Sequence, residues 1–312
     1  MFDIAGKRFW FFLISELLIL IGIISLATPF GRLKAGIEFS SGSMIVVSFQ
    51  QNVTQDELKQ ELASLGYSSA LVQAIEGGNF QIRTAQLTEE QKTQLTDGLA
   101  ARFGTLEEQE FFSVSPVVAL ETVRNAAIAV AVACAGILIY IAWAFRRMPR
   151  PFHYGTCAVV ALVHDVVVTL GIFSILGGIL NWEIDLMFVI GILAIIGYSV
   201  NNTVVVFDRI RENVKRGASS NFEAVVNNSQ VETMGRCLNT TITTLITVLA
   251  VLLFVGSSIQ NFAVVLLIGV LVGTYDSICV APALLIVWDR REWGRLLQWP
   301  SRPRIEPTPD KG

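Results

Sequence analysis

The stretch LMFVIGILAIIGYSVNNTVVVF, Leu186–Phe207, is apolar for long enough to cross a bilayer, where a spanning helix needs roughly 20 such residues at ~1.5 Å each. It also carries Tyr198, Asn201 and Asn202. Amides are expensive in hydrocarbon unless they face protein, so this helix belongs in a bundle. Five further runs qualify outward from it: Phe9–Thr28, Ala126–Phe145, Tyr154–Leu176, Cys237–Val255 and Phe262–Trp288. The composition agrees, with 53% hydrophobic and 16% charged residues in 312. Lys7 and Arg8 give the first run a basic lead-in, and Ser25-Leu26-Ala27 looks like a cleavage site. Its apolar part is long for a signal peptide, however, and Pro29 follows closely, so it is read as a retained anchor.

The short loops set the orientation. Lys7 and Arg8 precede the first span, and Arg146, Arg147 and Arg150 join the second to the third. Arg209, Arg211, Lys215 and Arg216 follow the fourth, and Arg290, Arg291 and Arg295 follow the sixth. The loops around Asn181–Glu183 and Gly256–Asn261 carry no Lys or Arg. Both termini are therefore expected in the cytoplasm, with the long insert outside. The expected segments are 1–29 with the first span, an extracytoplasmic domain at 30–122, a five-helix block at 123–288, and a tail at 289–312. The tail mixes tryptophans with arginines and then becomes Pro-rich, which suggests a membrane-surface segment followed by disorder.

The insert reads as folded. Ser43–Phe49 is β-branched and apolar; Thr54 opens a helical pattern with Glu57 three residues on and Gly66 as its stop. Ala70–Glu76 and Phe80–Thr84 flank Gly77-Gly78-Asn79, a hairpin signal. Thr88 opens a second helix closed by Gly104, and Glu110–Val114 is the last strand. The order β-α-β-β-α-β is that of a ferredoxin-like sandwich. In the connection Asp208–Arg236, the stretch NFEAVVNNSQVETMGR reads as an interfacial or packed helix rather than a binding motif.

No enzyme signature is present: there is no GxxxxGK[ST] phosphate loop, no GxGxxG and no HExxH. Cys134, Cys157, Cys237 and Cys279 all fall in or beside spans, with no pairing that suggests a disulfide or a metal site. Neither a cofactor nor a nucleic-acid partner is indicated, and any work must draw on another energy source. The informative residues are polar ones within spans: Asp165 beside His164, Asn202, and Asp276 on one face with Gly269 and Gly273. A stripe of Arg236, Asn239, Thr240, Thr243 and Thr247 repeats at helical period in span five. Asp276, Arg236, Asn202 and Asp165 are candidates for a proton pathway, because buried acids facing a base can take up and release protons. Asn201, Asn239, Thr240 and Thr243 are expected in the bundle interior as hydrogen-bonding glue. Asn202 and Asp276 lie at similar depths in parallel spans, so Asn202 is expected to donate to the Asp276 carboxylate. Arg236 is expected to serve a carboxylate in the bundle, with a membrane-side anchor as the plainer alternative.

Four of these stretches resemble one family. GYSVNNTVVVFDRIRENV (Gly197–Val214), ALVHDVVVTLGIFS (Ala161–Ser174), GIEFSSGS (Gly36–Ser43) and GRCLNTTITTLI (Gly235–Ile246) are similar to signatures of the SecF family of bacterial protein-export membrane subunits, in family order. The family's fourth-span NDT is here Asn201-Asn202-Thr203, and its sixth-span GTYSS is Gly273-Thr274-Tyr275-Asp276-Ser277. The resemblance implies a membrane α-helical fold, six transmembrane helices making half of a resistance-nodulation-division (RND) type transporter. It implies pairing with SecD, action beside the SecYEG channel on a translocating preprotein, and use of the proton gradient. The membrane implied is the bacterial plasma (inner) membrane, or an internal photosynthetic one. The departures suggest that Asp276 takes over the proton-carrying role vacated at Asn202. The competing readings are half of an RND-type exporter of small molecules or lipids, whose porter domains are larger and duplicated, and a non-conducting assembly partner of SecD.

Overall fold

The computed structural model describes residues 2–28, 31, 33–75, 78–146, 151–180, 182–254 and 259–293. They form two compact units: one holds 33–129 with 183–189, the other the remainder.

In the first unit, strand β1 (Lys34–Ala35) and a single helical turn, α2 (Ile37–Ser40), precede β2 (Gly42–Phe49), α3 (Gln55–Ser64), β3 (Leu71–Ala74), β4 (Phe80–Thr84), α4 (Glu89–Phe103) and β5 (Leu106–Val114). The main sheet runs β3-β4-β2-β5 and is antiparallel throughout, the order of a ferredoxin-like sandwich. Both helices start where expected. The hydroxyls of Thr54 and Thr88 accept from the amides of Glu57 and Gln91, whose side chains bond back to each threonine N–H. Gly66 and Gly104 follow the two helices with φ of +94° and +80°, a conformation that disfavours a side chain. The helices press Leu58, Leu62, Leu95 and Leu99 onto Ile45, Val47 and Ile82 of the sheet. Each buried leucine of this kind stabilises the domain by roughly 1.5–3 kcal/mol.

Strand β5 starts at Leu106 rather than the expected Glu110. It is an edge strand carrying Glu107, Glu108 and Glu110; such charges blunt an edge and hide its period. A short strand β6 (Glu183–Ile184) also pairs with β1, in parallel, and Arg83 forms an ion pair with Glu183. The sequence shows no sign of that pairing, since two residues carry no period. Of the expected turn, Gly77 lies outside the described residues.

The second unit contains α1 (Arg8–Ala27), α6 (Pro151–Leu180), α8 (Phe222–Phe254), α9 (Gln260–Tyr275) and α10 (Ala281–Arg290), with most of α5 (Pro116–Ala144) and α7 (Leu186–Lys215). Among the described residues, six helical stretches are long and apolar enough to cross a membrane, α9 and α10 counting as one. Two differ from the sequence reading. Helix α5 begins at Pro116 rather than Ala126. The amphipathic stretch after Asn221 is a packed helix, with Val225, Val226, Ser229, Gln230 and Thr233 buried, but it runs unbroken into span five, whose helix α8 begins at Phe222 rather than Cys237. Nothing between Phe222 and Phe254 breaks a helix, for the run holds no proline and only one glycine. Arg147, Arg150, Gly256 and the tail from 294 lie outside the described residues.

Small residues bring the helices together. A Cβ on Gly171 of α6 would stand 2.5 Å from the Cα of Gly22 in α1, closer than any real side chain permits. On the opposite flank, a Cβ on Gly273 of α9 would lie 3.0 Å from the Ser199 Cβ and 3.3 Å from an Asp165 oxygen. These backbones therefore approach as close as glycine allows. The N-terminal end is pinned by charge: buried Arg8 reaches Glu223 at 2.8 Å and Glu292 at 2.7 Å.

Candidate functional site

Between α9 and α10 lies one turn of π-helix, Asp276–Val280. Pro282 supplies the cause, because it lacks the N–H that would bond the Ile278 carbonyl. That carbonyl instead accepts from Gln230 Nε2 of α8 at 2.7 Å. Such turns within a helix often occur at functional sites, and here the turn opens with Asp276.

Asp276 is fully buried, and neither of its carboxyl oxygens has a hydrogen-bond partner among the described residues. Across from it stand His164 and Asp165 of α6. His164 Nδ1 is 3.5 Å from Asp276 Oδ1 and 3.4 Å from Asp165 Oδ1. The Asp165 Oδ2 accepts a short bond from the Ser199 hydroxyl of α7. His164 Nε2 and the Thr169 hydroxyl are also buried, with no hydrogen-bond partner among the described residues. Two acids and an imidazole thus converge in a buried site, and three full charges cannot persist together at that separation. They can share and exchange protons. The same trio, whose ligand atoms lie within 4.8 Å of one another, is a grouping that could also hold a cation.

Hydroxyls extend the site. Ser277 Oγ donates to the Ser199 carbonyl at 3.2 Å and sits 2.9 Å from Thr203 Oγ1. On the far side, Tyr198 donates to Thr241, and Thr241 Oγ1 is 2.7 Å from Thr274 Oγ1. The sequence reading omitted Ser199, Thr203, Thr241 and Ser277 because lone hydroxyls are ordinary in membrane helices. The available signal was local: Ser199 lies one turn before Asn202, and Thr203 and Ser277 adjoin Asn202 and Asp276, whereas nothing in the sequence marks Thr241.

The placement of the other candidates differs from expectation. Asn202 is buried as expected, but its amide donates to Thr274 Oγ1 at 3.4 Å and not to Asp276. Equal depth brought the two spans level, while the helical phase turned Asp276 toward α6. Arg236 is exposed and reaches no buried carboxylate among the described residues. It borders a cavity of about 340 Å³ with Asp208, Arg209, Glu212 and Glu232; a long arginine at a span end readily turns toward the polar side. Asn201, Asn239, Thr240 and Thr243, expected in the bundle interior, are exposed on the surface of this chain. The threonine hydroxyls donate to carbonyls one turn back in α8, so they need no neighbouring helix.

Fold and site together define half of a polytopic transport protein: six apolar helices with protonatable groups at their centre, and one ferredoxin-like domain inserted after the first. Residues 94–291 match the family described as protein export membrane protein SecD/SecF, C-terminal. A protein translocase subunit SecF from Thermobaculum terrenum is 40% identical, with 96% of this chain and 97% of the relative covered. Another from Anaerolinea thermophila is 36% identical over 97% of this chain and 99% of its own length. The crystal structure of SecDF, a translocon-associated membrane protein from Thermus thermophilus, superposes with a TM-score of 0.80 at 30% identity. That superposition covers 93% of this chain but 39% of the SecDF chain, and the protein translocase subunit SecDF of Bacillus subtilis is likewise covered over only 38% of its length. The chain belongs to the SecD/SecF family of protein-export membrane proteins and is an auxiliary protein-export subunit.

Proposed function

We propose that this chain pairs with SecD in the bacterial plasma membrane and uses the proton gradient to help preproteins finish crossing beside the SecYEG channel. It makes and breaks no covalent bonds. Both termini face the cytoplasm, and the ferredoxin-like domain faces outward. The observation that carries the reading is Asp276, a buried carboxyl with two unpartnered oxygens held beside His164 and Asp165. An ionised carboxylate there is an uncompensated buried charge; a proton removes it. His164 Nδ1 lies between the two acids and passes the proton from one to the other. Ser199, Ser277 and Thr203 extend the hydrogen-bonded chain from Asp165.

The partner covers the exposed stripe of α8. Asn239, Thr240, Thr243 and Thr247, with Asn201 of α7, form a polar face that lipid solvates poorly. Fusion of SecD and SecF in one chain, as in the Bacillus subtilis relative, supports this pairing.

Gradient-stimulated export by the assembled complex tests the proposal. Asp276→Asn keeps the shape and removes the protonatable group, so stimulation should fall at least about hundredfold. The exchange Asn202→Asp with Asp276→Ser should restore part of it. Full stimulation in Asp276→Asn would move the proton route to the SecD half and leave this half an assembly partner.

A further inference from the structure

At the end of the bundle where α5 finishes, a second cavity of about 250 Å³ is lined by Trp143, Ala144, Arg146, Arg211 and Lys215. Its lining holds three cations and no acid. Arg211 donates to the Ala144 carbonyl at 3.3 Å and forms an ion pair with Asp208. It thereby covers one of the carbonyls left open at the α5 terminus, whose partial negative charge would otherwise repel an anion. Arg146 and Lys215 are exposed and have no acidic partner among the described residues. The Arg146 guanidinium lies 4.8 Å from the Trp143 ring centre, and Arg211 lies 5.6 Å from that of Phe145. Phe145 is buried, stacked on Tyr154 and edge-on to Phe207, so the ring beside Arg211 is held in place.

The surroundings indicate what fills it. Trp143 is 60% exposed and Tyr140 53% exposed, and such rings sit at the level of lipid headgroups. Beyond them toward the middle of the span, α5 exposes Ile139, Val132 and Ile128. Two uncompensated cations beside an aromatic pair, continuous with an apolar face, match a headgroup phosphate with its acyl chains along α5. We propose that this cavity binds the phosphate of an anionic glycerophospholipid, with Arg146 and Lys215 as its charge partners and Arg211 as the residue that shapes the site. Basic pockets at the ends of membrane helices take such headgroups. Charge alone would attract an anion anywhere along this end of the bundle; the cavity gives it one position.

The test uses the full-length chain in mild detergent, with retained phosphatidylglycerol and phosphatidylcholine counted by native mass spectrometry. Wild type should retain phosphatidylglycerol about tenfold more strongly, and Arg146→Gln with Lys215→Gln should bring the two lipids within about twofold. Arg216→Gln, which removes an ion-paired cation outside the cavity lining, should leave the preference intact. Should the double variant misfold, wild type still decides: the preference should shrink as salt rises from 50 to 500 mM, because part of the contact is exposed charge. Equal retention of both lipids by wild type, an unchanged preference in the folded double variant, or no salt dependence would overturn the proposal. So would displacement of the lipid by equimolar inorganic phosphate, which would mean that the acyl chains contribute nothing.

Discussion

Helices α6 and α8 both carry polar residues at helical spacing, yet they use them in opposite ways. Half of the apolar window of α6 is buried, against 17% for α8. His164, Asp165 and Thr169 are buried, and of these Asp165 meets Ser199 and His164 meets Asp276. Asn239, Thr240, Thr243 and Thr247 point away from the bundle. The contrast follows from chemistry. A threonine hydroxyl can donate to a carbonyl of its own helix and travel on any face, whereas a carboxyl cannot satisfy itself in that way and must face protein.

The largest expected effect compares glycines on the two helices. Gly171→Leu in α6 has no space against Gly22, so the thermal midpoint of the full chain should drop, at a cost of about 3 kcal/mol or more. Gly235→Leu in α8 meets nothing within 4 Å and should leave the midpoint of the isolated chain unchanged within about 0.5 kcal/mol. Equal destabilisation by both would mean that α8 packs as tightly as α6.

The next effect concerns the exposed stripe. Asn239→Leu with Thr243→Leu should barely change the stability of the isolated chain, by about 0.5 kcal/mol at most. Co-purification with SecD should fall several-fold. Undiminished recovery of the pair would show that the stripe faces lipid in the assembly as well.

These outcomes bear on how much the sequence discloses. The spans, both capping boxes and the strand order of the insert were legible because each rests on a period or on a local hydrogen bond. The shared face of Gly269, Gly273 and Asp276 was legible too, since spacing fixes which residues sit together. Spacing does not fix which way a face turns, and that is why Asn239 and Thr243 were expected inside and Asn202 was expected against Asp276. The π-turn at Asp276 shifts the helical phase within a span, and only Pro282 hinted at it. The β1–β6 pairing joins residues far apart in the chain through two strands too short to leave a pattern.

A smaller effect belongs to a polar contact that faces water. Two hydrogen bonds from Thr54, through its N–H and its hydroxyl, hold the Glu57 carboxyl below the usual carboxylate range. A carboxyl with a lowered folded pKa contributes stability above its unfolded value of about 4.3, and that stability is lost as pH falls through the folded value. Amide exchange in the first turn of α3 should therefore speed up below about pH 4 in wild type. Glu57→Gln should show no such step. A step of the same size in the variant would assign it to another group.

Proton flux through the reconstituted pair tests the role of the α6–α9 interior most directly. The chain is placed with its SecD partner in liposomes under an imposed pH gradient, and flux is followed with a pH-sensitive dye inside. Asp276→Asn should reduce gradient-driven flux to the level of empty liposomes, while recovery of the pair stays at the wild-type amount. Wild-type flux through Asp276→Asn would contradict the assignment, and the convergence of His164, Asp165 and Asp276 would then be packing alone.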